Sequence, residues 1–167
     1  KYFKTGARLL FSQKTNVTSG TLQELKNCEW KRPVDKYSLN KDYSYLTWRY
    51  GVSPVKKYDF LICRNKNGDI LNACIVAKAG HFITIVDLLE YKQPIVIKDY
   101  LVAIQRKYGS VIVALWKNNI TDKHVDSFFW TRGGGWTFLV RDVNNKMPAA
   151  FFESQNWFVS HGEVESN

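Results

Sequence analysis

Apolar residues crowd the middle of this 167-residue chain in a series of runs separated by turn signals. Tyr58–Cys63 and Ile70–Ala77 flank Asn67-Gly68, a dipeptide that accepts positive φ, and the pair reads as a hairpin. In neither run is one face purely polar, so the pattern predicts strands covered on both sides, as in layered α/β sheets. A turn at Ala79-Gly80 leads into the run His81–Glu90. Its strand, Phe82–Leu89, is apolar on both faces except at Thr84 and Asp87. The period then changes. Within Pro94–Tyr108, residues Ile97, Leu101, Ile104 and Tyr108 fall on one helical face. Pro94 suits the first helical turn and Gly109 the position just past the last. Ser110–Trp116 reads as one more buried strand, Val111, Val113 and Leu115 alternating with Ile112, Ala114 and Trp116. Three strands in a meander, a crossover helix and a further strand predict an α/β (α+β) fold. Its sheet is mixed and twisted with helices on both faces, and Phe82–Leu89 and Ser110–Trp116 are parallel neighbours.

The flanks are less regular. Lys1–Gln13 carries basic residues around Ala7–Phe11, a short strand or helix. Asn16–Asn27 reads as a loop and a short helix, with Thr21 as N-cap and Glu24 three residues on. Pro33 interrupts what precedes it. Asn40 or Asp42 caps a short helix ending in Leu46-Thr47-Trp48-Arg49-Tyr50, stopped by Gly51 with Pro54 beyond. Downstream, Thr121 caps a helix ending near Trp130, Gly133-Gly134-Gly135 follows, and two strands close the chain at Trp136–Arg141 and Asn156–His161. Residues 1–40 thus form an arm, a linker from an upstream lobe, or the start of the domain, and residues 41–167 the domain itself.

A hydrophobic share of 45% is enough to build a core and argues against disorder. Lys and Arg number 24 against 15 acidic residues, and the resulting charge of +9 attracts polyanions: nucleic acid, acidic glycan, anionic lipid or a phosphorylated cofactor. Lys56-Lys57, Lys92, Lys98 and Arg106-Lys107 are candidates for a basic rim, although charge on an exposed face is usually solvation. Cys28, Cys63 and Cys74 are odd in number and form no CxxC, so neither a zinc site nor a disulfide framework is indicated. With a turn at Asn67-Gly68, Cys63 and Cys74 sit diagonally on one face, about 7–8 Å apart. Two buried thiols in a reducing, cytoplasmic setting are the expectation. No run is long enough to span a membrane. The chain begins at Lys1 without methionine, as a processed product or an excised piece would.

Three further stretches carry a resemblance. Leu46-Thr47-Trp48-Arg49-Tyr50 is followed by Pro54 and Tyr58, Ile85–Leu89 reads Ile-Val-Asp-Leu-Leu, and Trp157–Glu163 runs Trp-Phe-Val-Ser-His-Gly-Glu. In that order, and with the meander–helix–strand core, residues 42–163 resemble the GNAT superfamily of acyl-CoA N-acyltransferases. More narrowly, they resemble the second lobe of bacterial tandem-GNAT proteins. The resemblance implies acyl transfer from acyl-CoA to an amine, and a first lobe upstream as partner. It also implies a Gln/Arg-x-x-Gly-x-Gly/Ala turn whose backbone N–H groups receive the coenzyme A pyrophosphate. This chain departs from that motif: Glu90-Tyr91-Lys92-Gln93-Pro94-Ile95-Val96-Ile97 holds no glycine.

The resemblance makes Asp87 and Glu90 candidates for the general base acting on the acceptor amine. The competing reading is a pair of carboxylates bonded to a hydroxyl or a backbone amide. Tyr91 is either a general acid or a packing aromatic. Trp48, Arg49 and Trp136 are candidates for the substrate wall, stacking on a ligand and pairing with an anion. His81, His124 and His161 have no metal-ligand spacing, so no metal is expected. Arg132-Gly133-Gly134-Gly135 is a single RGG unit, better read as a helix stop and loop. Beside the acyltransferase lobe stand two other readings. One is a non-catalytic binding module for an anionic ligand, nucleic acid or protein partner. The other is a FemAB-like aminoacyltransferase lobe, whose relatives also pair two such lobes.

Overall fold

A computed structural model describes residues 2–4, 15–32, 36–109, 111–115 and 147–152. They build a six-stranded sheet from β1 (Tyr2–Lys4), β2 (Val17–Gly20), β3 (Tyr58–Arg64), β4 (Ile70–Ala79), β5 (Phe82–Glu90) and β6 (Ile112–Leu115), in the order β1-β6-β5-β4-β3-β2. Strands β3, β4 and β5 form the antiparallel meander. The chain then crosses through helix α2 (Ile97–Tyr108), and β6 returns parallel to β5 from Phe82↔Ile112 to Ile85↔Leu115. The mixed α/β architecture and the parallel neighbours are those the hydrophobic pattern predicts. The helix and strands read beyond Trp116 lie outside the described residues.

Each edge carries a short antiparallel strand, β1 on β6 and β2 on β3. The pattern placed a loop where β2 forms. The strand spans four residues of which only Val17 is buried, too few to establish alternation. Next along the chain, the predicted cap at Thr21 is present: its N–H donates to Glu24 Oε2 at 2.6 Å, and Leu22–Leu25 forms a 3-10 turn.

The hairpin keeps the register of a two-residue turn from Tyr58↔Ala77 to Cys63↔Asn72, then a bulge after Cys63 moves Arg64 opposite Ile70. The loop folds around Asn65, whose Oδ1 accepts the N–H groups of Asn67 and Asp69, both at 2.9 Å, while Gly68 takes φ 89°. Cys63 and Cys74 are free and face the same side. Burial pushes both thiols up, Cys74 furthest, which keeps them protonated. The next turn sits one residue later than predicted. Ala79 still pairs with Phe82, and Gly80 (φ 59°) and His81 make the corner.

Alternation along the meander feeds two cores. On one face Leu61, Cys74, Val76, Ile83 and Ile85 pack against Ile97, Tyr100, Leu101 and Ile104 of α2. On the other, Phe60, Ile62, Ile75, Val86 and Leu89 meet Leu25 of the 3-10 turn and Leu46 and Tyr50 of the helical segment at 43–51. Burying one such side chain is worth about 1.5–3 kcal/mol, so neither face of the sheet is dispensable.

Helix α2 starts at Ile97 rather than Pro94, because the preceding loop is pinned in an extended path with Val96 at φ −101°, ψ 98°. The pin is Asn72, buried on β4. Its Nδ2 donates to the carbonyls of Gln93 (3.2 Å) and Pro94 (3.1 Å), and its Oδ1 accepts from Tyr100. At the far end of α2, Lys107 Nζ lies 2.8 Å from Asp59 Oδ1 and the Tyr108 hydroxyl donates to Asp59 Oδ2, tying the helix to β3.

Two expectations follow from these ties. Asn72→Ala leaves a buried tyrosine hydroxyl and two carbonyls without their partner, at about 1–3 kcal/mol for an unmet group, so chemical denaturation should show a loss of at least about 2 kcal/mol. The second concerns acid. Burial raises the pKa of Asp59, but hydrogen bonds from Lys107 and Tyr108 and the charges of Lys107 and Lys78 outweigh it, and the net pKa is lowered. A depressed folded-state pKa contributes stability above the unfolded value of about 3.9 and loses it as pH falls through the folded value. Asp59→Asn should therefore flatten the stability profile below about pH 4 while leaving its slope near neutrality unchanged.

Candidate functional site

A bulge re-aims side chains in the middle of β5. Ile75 faces Asp87 and Val76 faces Ile85, so Val86 is the extra residue. Val86 joins the core opposite α2, and Asp87 turns to the same side. There its Oδ2 accepts from the Tyr50 hydroxyl at 2.8 Å, and its Oδ1 accepts from Lys41 Nζ at 2.7 Å and from the Leu88 N–H at 3.2 Å. Asp87 is 1% exposed. Burial above all, and then the Asp87 charge, lifts the Tyr50 phenol far above its usual range, so Tyr50 stays a donor.

The segment that delivers these partners is locally encoded. Asp42 accepts the Tyr45 N–H at 2.9 Å and caps α1 (Tyr43–Leu46). The chain then widens into a π-helical turn, Thr47–Gly51, closed by Val52 N–H on Thr47 O at 3.1 Å. This turn sends Tyr50 inward, edge-on to Tyr58 at 5.0 Å, and leaves Trp48 65% exposed beside Tyr45.

Beyond this segment the same sheet face opens into a cleft of about 650 Å³. Tyr58, Ala77, Thr84 and Val86 form its floor, and Arg49, Val55, Lys56 and Lys57 its wall. The wall loop is held by the Lys56 N–H on the Ser53 hydroxyl at 3.3 Å. Lys78 also borders the cleft, but its ammonium lies 5.6 Å over the Tyr108 ring, toward α2. Among the described lining residues Arg49, Lys56 and Lys57 are cationic, none is acidic, and the floor is mostly apolar.

The residues singled out from the sequence therefore separate. Arg49 lines the cleft. Asp87 lies on the same sheet face beneath the 41–51 segment, with its side chain fully covered, and does not line the cleft. Glu90 sits at the far end of β5, where Oε1 accepts the Ile95 N–H at 3.0 Å and its carbonyl accepts the Lys31 N–H at 2.7 Å. Trp48 points outward, and Trp136 lies outside the described residues. Tyr91 packs edge-on against Trp30 at 6.0 Å. Of the candidate basic rim, Lys56 and Lys57 reach the cleft, whereas Lys92 lies over Tyr91 and Lys107 pairs with Asp59. The floor residues Tyr58 and Val86 entered the sequence reading only within the resembling motifs and not as site residues, because on a strand they look like any other core position; Thr84, a polar exception in an apolar run, was the visible signal.

In the loop from Tyr91 to Ile95 three amides are engaged. The N–H groups of Lys92 and Gln93 both donate to Leu71 O, at 2.8 and 3.3 Å, Ile95 donates to Glu90, and Pro94 has none to give. No cluster of three His, Cys, Asp or Glu side chains suited to a metal occurs among the described residues. Nor is any described helix long and apolar enough to cross a membrane. The chain matches no protein-family model, no curated protein and no solved structure.

Asp87→Asn should cost about 3–5 kcal/mol, the usual penalty for removing one partner of a buried pair. Urea titration measures it, and Lys41→Met combined with Asp87→Leu should lose less than Asp87→Asn alone.

Proposed function

We propose that this chain is an acyltransferase-like lobe that binds an anionic ligand within a larger enzyme and does not itself hold acyl-CoA. The strand order supports the acyltransferase-like part: meander, crossover helix and parallel strand are the core that the GNAT resemblance implies. The observation that carries the second part, that the chain does not itself hold acyl-CoA, is the state of the β5–α2 loop. A coenzyme A pyrophosphate needs free N–H donors at that helix entry. Here those of Lys92, Gln93 and Ile95 are bonded to Leu71 O and to the Glu90 carboxylate. An incoming diphosphate would have to displace Glu90 and would meet its negative charge. The residues of this loop do not fit the cofactor.

In this reading Asp87 is a structural carboxylate, and the cleft bordered by Lys57, Tyr58 and Thr84 serves the ligand. An upstream lobe of the same superfamily would supply the acyl-CoA site, and the cleft would present an anionic acceptor or partner to it. The test removes the cleft first. In a Lys56→Gln, Lys57→Gln variant, calorimetry with acetyl-CoA should show no saturation up to about 1 mM, weaker than about −4 kcal/mol. Low-micromolar binding in that variant, about −8 kcal/mol, contradicts the proposal.

A further inference from the structure

The cleft opposite α2 also indicates how much charge its ligand carries and what body goes with it, an inference that rests on the anion-binding role just proposed. Of the cationic side chains that line it, Arg49 and Lys56 already have interaction partners, and Lys78 lies over the Tyr108 ring. Lys57 is left. Among the described residues no side chain or carbonyl engages its ammonium. One ammonium matches one unit of negative charge. A diphosphate would bring more charge than it can pair, whereas a single carboxylate is matched in full.

The floor indicates the rest of the molecule. Tyr58 on β3 pairs with Ala77 on β4, and Ala77 pairs with Thr84 on β5, so the three side chains form one row across the sheet. The middle of the row is only a methyl group. Tyr58 and Thr84 stand two strand spacings apart, about 9–10 Å between backbones, and the trough between them has room for one chain. Phe60 and Ile75 fill the next row and close one end, while Ala79 keeps the floor low toward the other. The hydroxyls of Tyr58 and Thr84 make no hydrogen bond among the described residues, and both border the trough. A narrow apolar trough with one unmatched ammonium and two hydroxyls at its border suits an elongated apolar acid. The volume of about 650 Å³ lies within the range of sites that enclose a small molecule.

We infer that this cleft binds an elongated apolar monocarboxylate. Its carboxylate lies on Lys57 within reach of a bordering hydroxyl, and its apolar body lies in the trough over Ala77.

Calorimetry of the chain with octanoate, octanol and inorganic pyrophosphate tests charge and body separately. Octanoate should saturate below about 1 mM. It should bind about tenfold tighter than octanol, the difference one charge-assisted bond makes, and tighter than pyrophosphate. Lys57→Gln should weaken octanoate by about tenfold, and Lys56→Gln, whose side chain is already engaged, should leave it nearly unchanged. Ala77→Leu fills the trough and should abolish saturation. Lys56 and Lys57 are exposed and Ala77 is partly exposed, so unchanged melting temperatures confirm that the variants are folded. The inference is overturned if octanoate does not saturate, if octanol or pyrophosphate binds as well, if Lys57→Gln or Ala77→Leu binds octanoate as before, or if Lys56→Gln costs as much as Lys57→Gln. Any of these results, with acetyl-CoA still unbound in the Lys56→Gln, Lys57→Gln variant, removes the ligand class and leaves the lobe without an acyl-CoA site. Tight acetyl-CoA binding in that variant removes the underlying reading itself.

Discussion

The buried carboxylate of Asp87 is the constraint around which one side of this protein is arranged. Taking a charge out of water carries a penalty of several kcal/mol that only close partners offset. The β5 bulge turns Asp87 away from α2, and on that side Lys41, Tyr50 and the Leu88 N–H meet it. The first two come from the segment between residues 41 and 51, so satisfying the charge docks that segment on the sheet. It covers only part of the face. The remainder, floored by Ala77 and Thr84, is the open cleft, and Arg49 reaches it because Arg49 precedes the anchored Tyr50. Core, lock and cleft thus follow from one bulge.

The opposite face is fixed by a second buried polar group. Asn72 holds the carbonyls of Gln93 and Pro94 and the hydroxyl of Tyr100, which positions α2 and draws the preceding loop across the top of β4. Leu71 O and Glu90 then take up the loop's amides. A loop so satisfied needs no ligand to complete it. The two faces therefore differ chemically: a closed, self-bonded loop leads into α2, and a basic, open cleft lies across the sheet.

Much of the fold was legible because its elements obey simple periods. The shared face of Ile97, Leu101, Ile104 and Tyr108 and the two-sided apolar strands required a covered mixed sheet. Elements set by tertiary contact were not legible. Pro94 has the right chemistry for a first helical turn, yet Asn72, more than twenty residues upstream, holds it in a loop. The strand Val17–Gly20 exists because β3 offers an edge, and nothing in its own four residues announces it. At the site, Asp87 stood out as a charge in an apolar strand, but whether it faced a ligand or a lysine depended on the bulge. Lys56 and Lys57 were visible as charge and indistinguishable from solvated surface until the floor beneath them was in place.

The most direct test of this account is residue-resolved NMR of the isotopically labelled chain titrated with acetyl-CoA. Amide shifts from Tyr91 to Ile95 and in the first turn of α2 should stay in place. Saturable shifts concentrated in that loop and that turn would contradict it.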